Sequence, residues 1–125
     1  MLGRSKLTAF LATTNPKRAR TFYQKTLGLR LTSEDGFALE FHGAGAPIRI
    51  QKVERFTPHP FTALGWRVAN IRRTVRALAK RRVVFERYAF MEQDADAIWT
   101  APSGTRVAWF KDPDGQLLSL SQAPE

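Results

Sequence analysis

The chain contains no cysteine, which excludes a disulfide framework and thiol chemistry and suits a cytoplasmic protein. Histidine is nearly absent too: His42 ends an apolar run beside Gly43, and His59 stands between two prolines. No apolar run approaches the roughly 20 residues that span a membrane. The apolar stretch behind Arg4 and Lys6 is broken by Thr8, Thr13 and Thr14, which makes it a poor signal peptide. Acidic residues are scarce: 11 Asp and Glu against 20 Lys and Arg leave a net charge of +9. Residues 1–33 carry Arg4, Lys6, Lys17, Arg18, Arg20, Lys25 and Arg30 with no acid, and residues 70–82 carry 6 more basic residues unopposed. Such a field attracts polyanions at low salt, but general attraction is not a dedicated nucleic-acid site.

What is present argues for a packed core. With 125 residues, 43% hydrophobic, 9 Phe and 3 Trp, the chain fits one soluble domain, and two independent cores would not fit. Strand-like AFLATT at 9–14 leads to Asn15 as a helix cap, Pro16 at the first helical position and a stop at Gly28. A shift of 55 residues brings Asn15 onto Asn70, and Leu7, Leu11 and Thr13 onto Thr62, Trp66 and Val68, so strand, cap and helix recur. Three short strands are expected after the first helix, at 29–35, 37–43 and 47–54. After the second, candidates lie at 83–90, 97–101 and 106–111, and 116–122 closes the unit. A shift of 70 aligns Gly45 with Gly115 and pairs Arg49 with Ser119 and Gln51 with Ser121.

The second helix, 71–82, puts Ile71, Val75, Leu78 and Ala79 on one stripe and leaves its arginines and lysine on a solvated outer face. The stretch 52–62 reads as a connection, since Pro58 and Pro60 cannot sit in central strands, and EQDADA at 92–97 reads as an exposed loop.

Two patterns carry a family resemblance: an aromatic pair running into Leu27-Gly28-Leu29 within FYQKTLGLRL at 22–31, and the Asp112-Pro113-Asp114-Gly115 turn within WFKDPDGQLLSLSQ at 109–122. Together, at this spacing, they resemble the vicinal oxygen chelate superfamily of glyoxalase I, extradiol dioxygenases, and fosfomycin- and bleomycin-resistance proteins. The resemblance spans nearly the whole chain. It implies an α+β fold of two βαβββ modules whose sheets curve around a cleft. Module one would run over about 5–54, the linker over about 55–60 and module two over about 61–122, as a single domain. It also implies a homodimer, in which relatives sometimes exchange modules.

Metal-binding relatives take ligands from the first and last strands of each module, and the repeat places those positions at Thr8, Arg49, Ala63 and Ser119. Ser119 stands where relatives carry a metal-binding glutamate after the turn. Ala63 offers no donor, Arg49 brings positive charge, and hydroxyls are weak ligands, so no metal and no cofactor is expected. No nucleophile–base arrangement stands out, and no catalytic residue is assigned.

Period-two alternation from these positions puts Phe10, Ala12, Gly65, Arg67, Gln51, Leu117 and Ser121 on the inward face with Thr8, Ala63, Arg49 and Ser119. Arg49 and Arg67 have the chemistry to fork onto a carboxylate or phosphate, unless they are exposed or paired with Glu40, Glu54 or Glu86. Trp66 alternates toward the helix, whereas Trp99 and Trp109 are cleft candidates, Trp109 preferred. The expected ligand site is therefore Thr8, Phe10, Arg49, Gln51, Ala63, Arg67, Trp109, Ser119 and Ser121.

The leading functional expectation is a metal-independent protein that binds a small anionic or aromatic carboxylate ligand. The alternative is a metal-dependent glyoxalase-like lyase or dioxygenase-like enzyme, and a third class is a basic module for nucleic acid or an acidic partner.

Overall fold

The computed structural model describes residues 1–43 and 45–125. The chain forms two compact units, Met1–Thr57 and Pro58–Glu125, each built around a four-stranded mixed sheet. No helix among the described residues is long and apolar enough to cross a membrane.

In the first unit, β1 (Ala9–Thr13) leads into α1 (Pro16–Thr21). Asn15 caps α1 as its sequence position predicts, its side-chain oxygen accepting from the Arg18 amide at 3.1 Å. The helix then widens into one π turn, Phe22–Thr26, where the Leu27 amide reaches the Phe22 carbonyl at 2.9 Å. Gly28 ends it at φ +77°, and the Leu29 amide returns to the Tyr23 carbonyl at 2.9 Å. The π turn carries Tyr23 into the core, fully buried, 5.8 Å from the Phe41 ring.

Strands β2 (Arg30–Glu34), β3 (Ala38–His42) and β4 (Pro47–Lys52) follow, giving the order β1-β4-β3-β2 with β1 and β4 parallel. Leu11, Leu39, Phe41, Ile48 and Ile50 are buried on one face, as strict alternation requires.

The second unit repeats this plan. β5 (Leu64–Arg67), α2 (Ile71–Lys80), β6 (Trp99–Thr100), β7 (Arg106–Lys111) and β8 (Leu117–Gln122) give the order β5-β8-β7-β6, with β5 and β8 parallel. Asn70 caps α2 by accepting from the Arg73 amide at 3.0 Å. Registers match at the expected shifts: Phe10 faces Arg49 in the first unit, and Gly65 faces Ser119 in the second. Two βαβββ modules are thus present, as the sequence repeat implies.

Three local expectations need correction. The segment 83–90 is not a strand; it makes one bridge, Phe85 to Phe110. Part of its backbone is satisfied by a side chain instead, because the Gln93 amide accepts from the Tyr88 N–H at 2.8 Å and donates to the Glu86 carbonyl at 2.9 Å, as well as to the Ala97 carbonyl at 3.0 Å. A strand is also expected over 97–101, yet only Trp99 and Thr100 pair, since β7 shares that edge with Phe85. Finally, α2 buries Ile71, Val75 and Leu78 but leaves Ala79 exposed, on the edge of the stripe.

The turn from β7 to β8 is held from within by Asp112, which is 6% exposed. Its carboxylate accepts from the amides of Asp114 and Gln116, each at 2.9 Å, and from the Gln116 side chain at 2.7 Å. Gly115 at φ +86° closes the turn with its amide on the Asp112 carbonyl at 3.0 Å. Asp112→Ala strands the buried Gln116 donors and is expected to cost about 1–3 kcal/mol in urea unfolding. A loss under about 0.5 kcal/mol would show that water replaces the carboxylate without penalty.

Candidate functional site

Each sheet has one face packed under its helix and one open face, and pairing register decides which residues share the open one. In module one, Phe10, which is 57% exposed, lies beside Arg49, and Ala12 lies beside Gln51. Thr8 precedes β1 and is exposed, on the Phe10 side by alternation. Glu40 sits across from Arg49 on β3, and their side chains pair at 3.4 Å, both partly exposed. His42 approaches the same carboxylate at 4.0 Å. Of the alternatives open in sequence, Arg49 therefore takes the Glu40 pairing.

The open face of module two is laid out in cross-strand rows. Arg67, Ser121, Val107 and Trp99 form one row from β5 to β6. Gly65, Ser119 and Trp109 form the next. Leu117 and Lys111 form a third, and Ala63, just before β5, joins it through its amide to the Leu117 carbonyl at 2.8 Å. Arg67 is exposed and, among the described residues, has no ion-pair partner. Gly65 leaves no hole as its small size suggests; the Ser119 hydroxyl leans across it, so an added Cβ would collide with that oxygen.

Trp109 is held in place by several contacts. Its indole N–H donates to the Thr62 hydroxyl at 3.2 Å. Tyr88 meets the ring edge-on, centroids 5.7 Å apart at 86°, and Trp99 lies 6.1 Å away at 35°. Phe90, 80% exposed, extends the group through Tyr88 at 5.6 Å. The rings touch one another, so they present a stacking surface with no cage between them.

Glu86 also reaches this face, its amide bonded to the Trp109 carbonyl at 2.8 Å and its carboxylate 3.5 Å from Lys111. Burial pushes the Tyr88 phenol above its ordinary pKa, and the negative charge of Glu86 adds to the effect. Tyr88 therefore stays protonated well beyond neutral pH.

Sequence reasoning missed Thr62 and Tyr88, which reach Trp109 from a connection and from an irregular segment. Lys111 and its sharing of a face with Trp109 follow from alternation and were there to be read. Among the described residues, no group of three or more His, Asp or Glu side chains gathers closely enough to hold a metal ion. The donors at Thr8, Arg49, Ala63 and Ser119 do not fit the metal that the fold family implies, for want of imidazole or carboxylate.

The close approach at Gly65 is testable. Gly65→Ala is expected to turn the Ser119 hydroxyl into another rotamer at a cost of about 1 kcal/mol, and adding Ser119→Ala should restore most of it. Additive losses in the double variant would contradict the contact.

The model of the Glyoxalase/Bleomycin resistance protein/Dioxygenase superfamily matches residues 7–120. No protein of curated function matches the chain in sequence. Among solved structures, a member of that superfamily from Sphaerobacter thermophilus is 20% identical, covering 98% of this chain and 99% of its own, with a TM-score of 0.76. A lactoylglutathione lyase from Agrobacterium tumefaciens is 12% identical, covering 98% and 96%, with a TM-score of 0.75. TnmS3, an antibiotic binding protein from Streptomyces, is 19% identical, covering 98% of each chain, with a TM-score of 0.71. At such identities the likeness is one of fold, and it agrees with the paired βαβββ registers. Together with a family model that runs from before β1 into β8, it makes this protein a member of the Glyoxalase/Bleomycin resistance protein/Dioxygenase superfamily.

Proposed function

We propose that this chain is a metal-independent small-molecule-binding protein whose ligand is an aromatic carboxylate or a similar anion. The observation that carries the reading is the open face of module two: Arg67, without an ion-pair partner among the described residues, shares it with Ser119, Ser121, Trp99 and Trp109. An aromatic ring stacks on the indoles, the serine hydroxyls bond polar substituents, and the guanidinium forks onto a carboxylate. A net charge of +9 favours an anion over a cation. On module one, Arg49, Phe10, Gln51 and Thr8 offer similar chemistry, though ligand binding to Arg49 must compete with Glu40. The antibiotic-binding neighbour supports the reading because the same fold there belongs to a protein described by what it binds. A homodimer, as the family resemblance implies, belongs to the same proposal.

A second reading, a metal-dependent lyase or dioxygenase, has the lactoylglutathione lyase neighbour and the placement of Glu86 on the open face in its favour. The donor chemistry at the four inferred ligand positions weighs against it.

Calorimetric titration with 2-naphthoate and its uncharged analogue 2-naphthamide separates ring stacking from charge recognition. Naphthoate is expected to bind more tightly, and Arg67→Ala to weaken naphthoate by about 10- to 100-fold while leaving naphthamide unchanged. Arg49→Ala should weaken it less. Equal binding of acid and amide, or an Arg67→Ala variant that binds naphthoate unchanged, would overturn the assignment.

A further inference from the structure

The strongest concentration of charge lies away from the open faces, on α2. Its inward stripe is Ile71, Val75 and Leu78. At about 100° per residue, Arg73, Arg76 and Lys80 fall within about 60° of one another on the opposite side. With Arg72 and Arg81 they line a shallow hollow of about 620 Å³ that has no acid among its lining residues.

Two acids reach the helix from one flank. Arg72 donates to Asp94 at 2.8 Å and to Asp96 at 2.6 Å, and Arg76 pairs with Asp96 at 3.2 Å. Burial raises the Asp94 pKa, but the Arg72 hydrogen bond and the Ile98 and Asp96 amides outweigh it, leaving a net lowering. That flank is thus fixed and neutralised. Arg73 and Lys80 are exposed and have no ion-pair partner among the described residues, and Arg76, 64% exposed, extends beyond Asp96.

We propose that this outward face of α2 binds the phosphate backbone of double-stranded nucleic acid without reading its sequence. The surroundings of the cations select among polyanions. No large apolar side chain of α2 is exposed, so the face lacks what an amphipathic helix inserts into a lipid surface. It lacks also the aromatic or aliphatic anchor around which a protein interface forms. No aromatic residue occurs between 70 and 84, so single strands find no base-stacking platform. What remains is a row of cations at one-turn spacing, suited to a dense line of phosphates. This site is separate from the small-molecule face, and either can fail without the other.

The test is fluorescence anisotropy of the whole protein with a labelled duplex of about 20 base pairs across a salt series. Three cations on phosphates give a log–log salt slope of about −2.7, or about 20-fold weaker binding for a threefold rise in salt. Arg73→Glu with Lys80→Glu is expected to lower affinity at least about tenfold and to flatten the slope by about 2. Arg4→Glu with Lys6→Glu removes the same charge from an exposed segment of module one and is expected to change affinity less than about threefold.

Circular dichroism checks that both variants fold; if the glutamates unfold α2, Arg73→Gln with Lys80→Gln serves instead. Equal weakening by the two pairs would overturn the α2 assignment in favour of general charge. Absence of duplex binding at low salt would overturn it outright. Binding of polyglutamate or of phosphatidylserine vesicles as tight as that of the duplex would overturn the choice of nucleic acid.

Discussion

In each module the first strand pairs in parallel with the last, and the register of that pair decides which side chains stand on the open face. Leu11 facing Ile50 and Trp66 facing Leu120 turn the apolar residues toward the helices. The same register then forces Phe10 and Arg49, and Gly65 and Ser119, outward together. A slip of one residue would bury Arg49 unpaired and expose Ile50, a change whose desolvation cost alone runs to several kcal/mol. Burial of Leu39, Phe41, Leu118 and Leu120 thus fixes the chemistry of surfaces those residues never touch.

On those surfaces the chain offers a guanidinium, hydroxyls and indoles. Such groups recognise charge and flat rings by hydrogen bonding and stacking, and do not hold a hard cation. The arrangement on module two is rigid for identifiable reasons: the Trp109 indole is anchored on Thr62, Tyr88 abuts it, and Gln93 ties the segment bearing Tyr88 and Glu86 to the backbone around it. A stacking ring already fixed in place loses little entropy when a ligand arrives.

Much of this was legible in the chain itself. The repeat from Asn15 to Asn70 foretells both caps, the shifts of 55 and 70 carry Phe10 onto Gly65 and Arg49 onto Ser119, and the Asp112 turn closes at its sequence position; the strand register that sets Phe10 beside Arg49 and Gly65 beside Ser119 comes from the structure. Each rests on local chemistry or on period-two alternation. The segment 83–90 misleads because its Val83, Val84 and Phe85 have strand character, while beyond the one bridge at Phe85 the Gln93 side chain takes the Tyr88 N–H and the Glu86 carbonyl that a continuing strand would pair. The choice of Glu40 over other acids for Arg49 came from cross-strand proximity between β3 and β4. The lean of Ser119 over Gly65 and the meeting of Thr62 with Trp109 depend on side-chain rotamers and on a connection, which no periodicity describes.

Whether the chain works without a metal decides between the two branches of its superfamily. The most direct measurement is calorimetric titration of chelator-treated, untagged protein with nickel, zinc, manganese and iron, paired with the metal content of the protein as isolated. A metal-independent binding protein is expected to carry no stoichiometric metal on isolation and to give no saturable heat with any of the four. One tightly held metal ion per chain would contradict that expectation and return the protein to the metal-dependent branch of its superfamily.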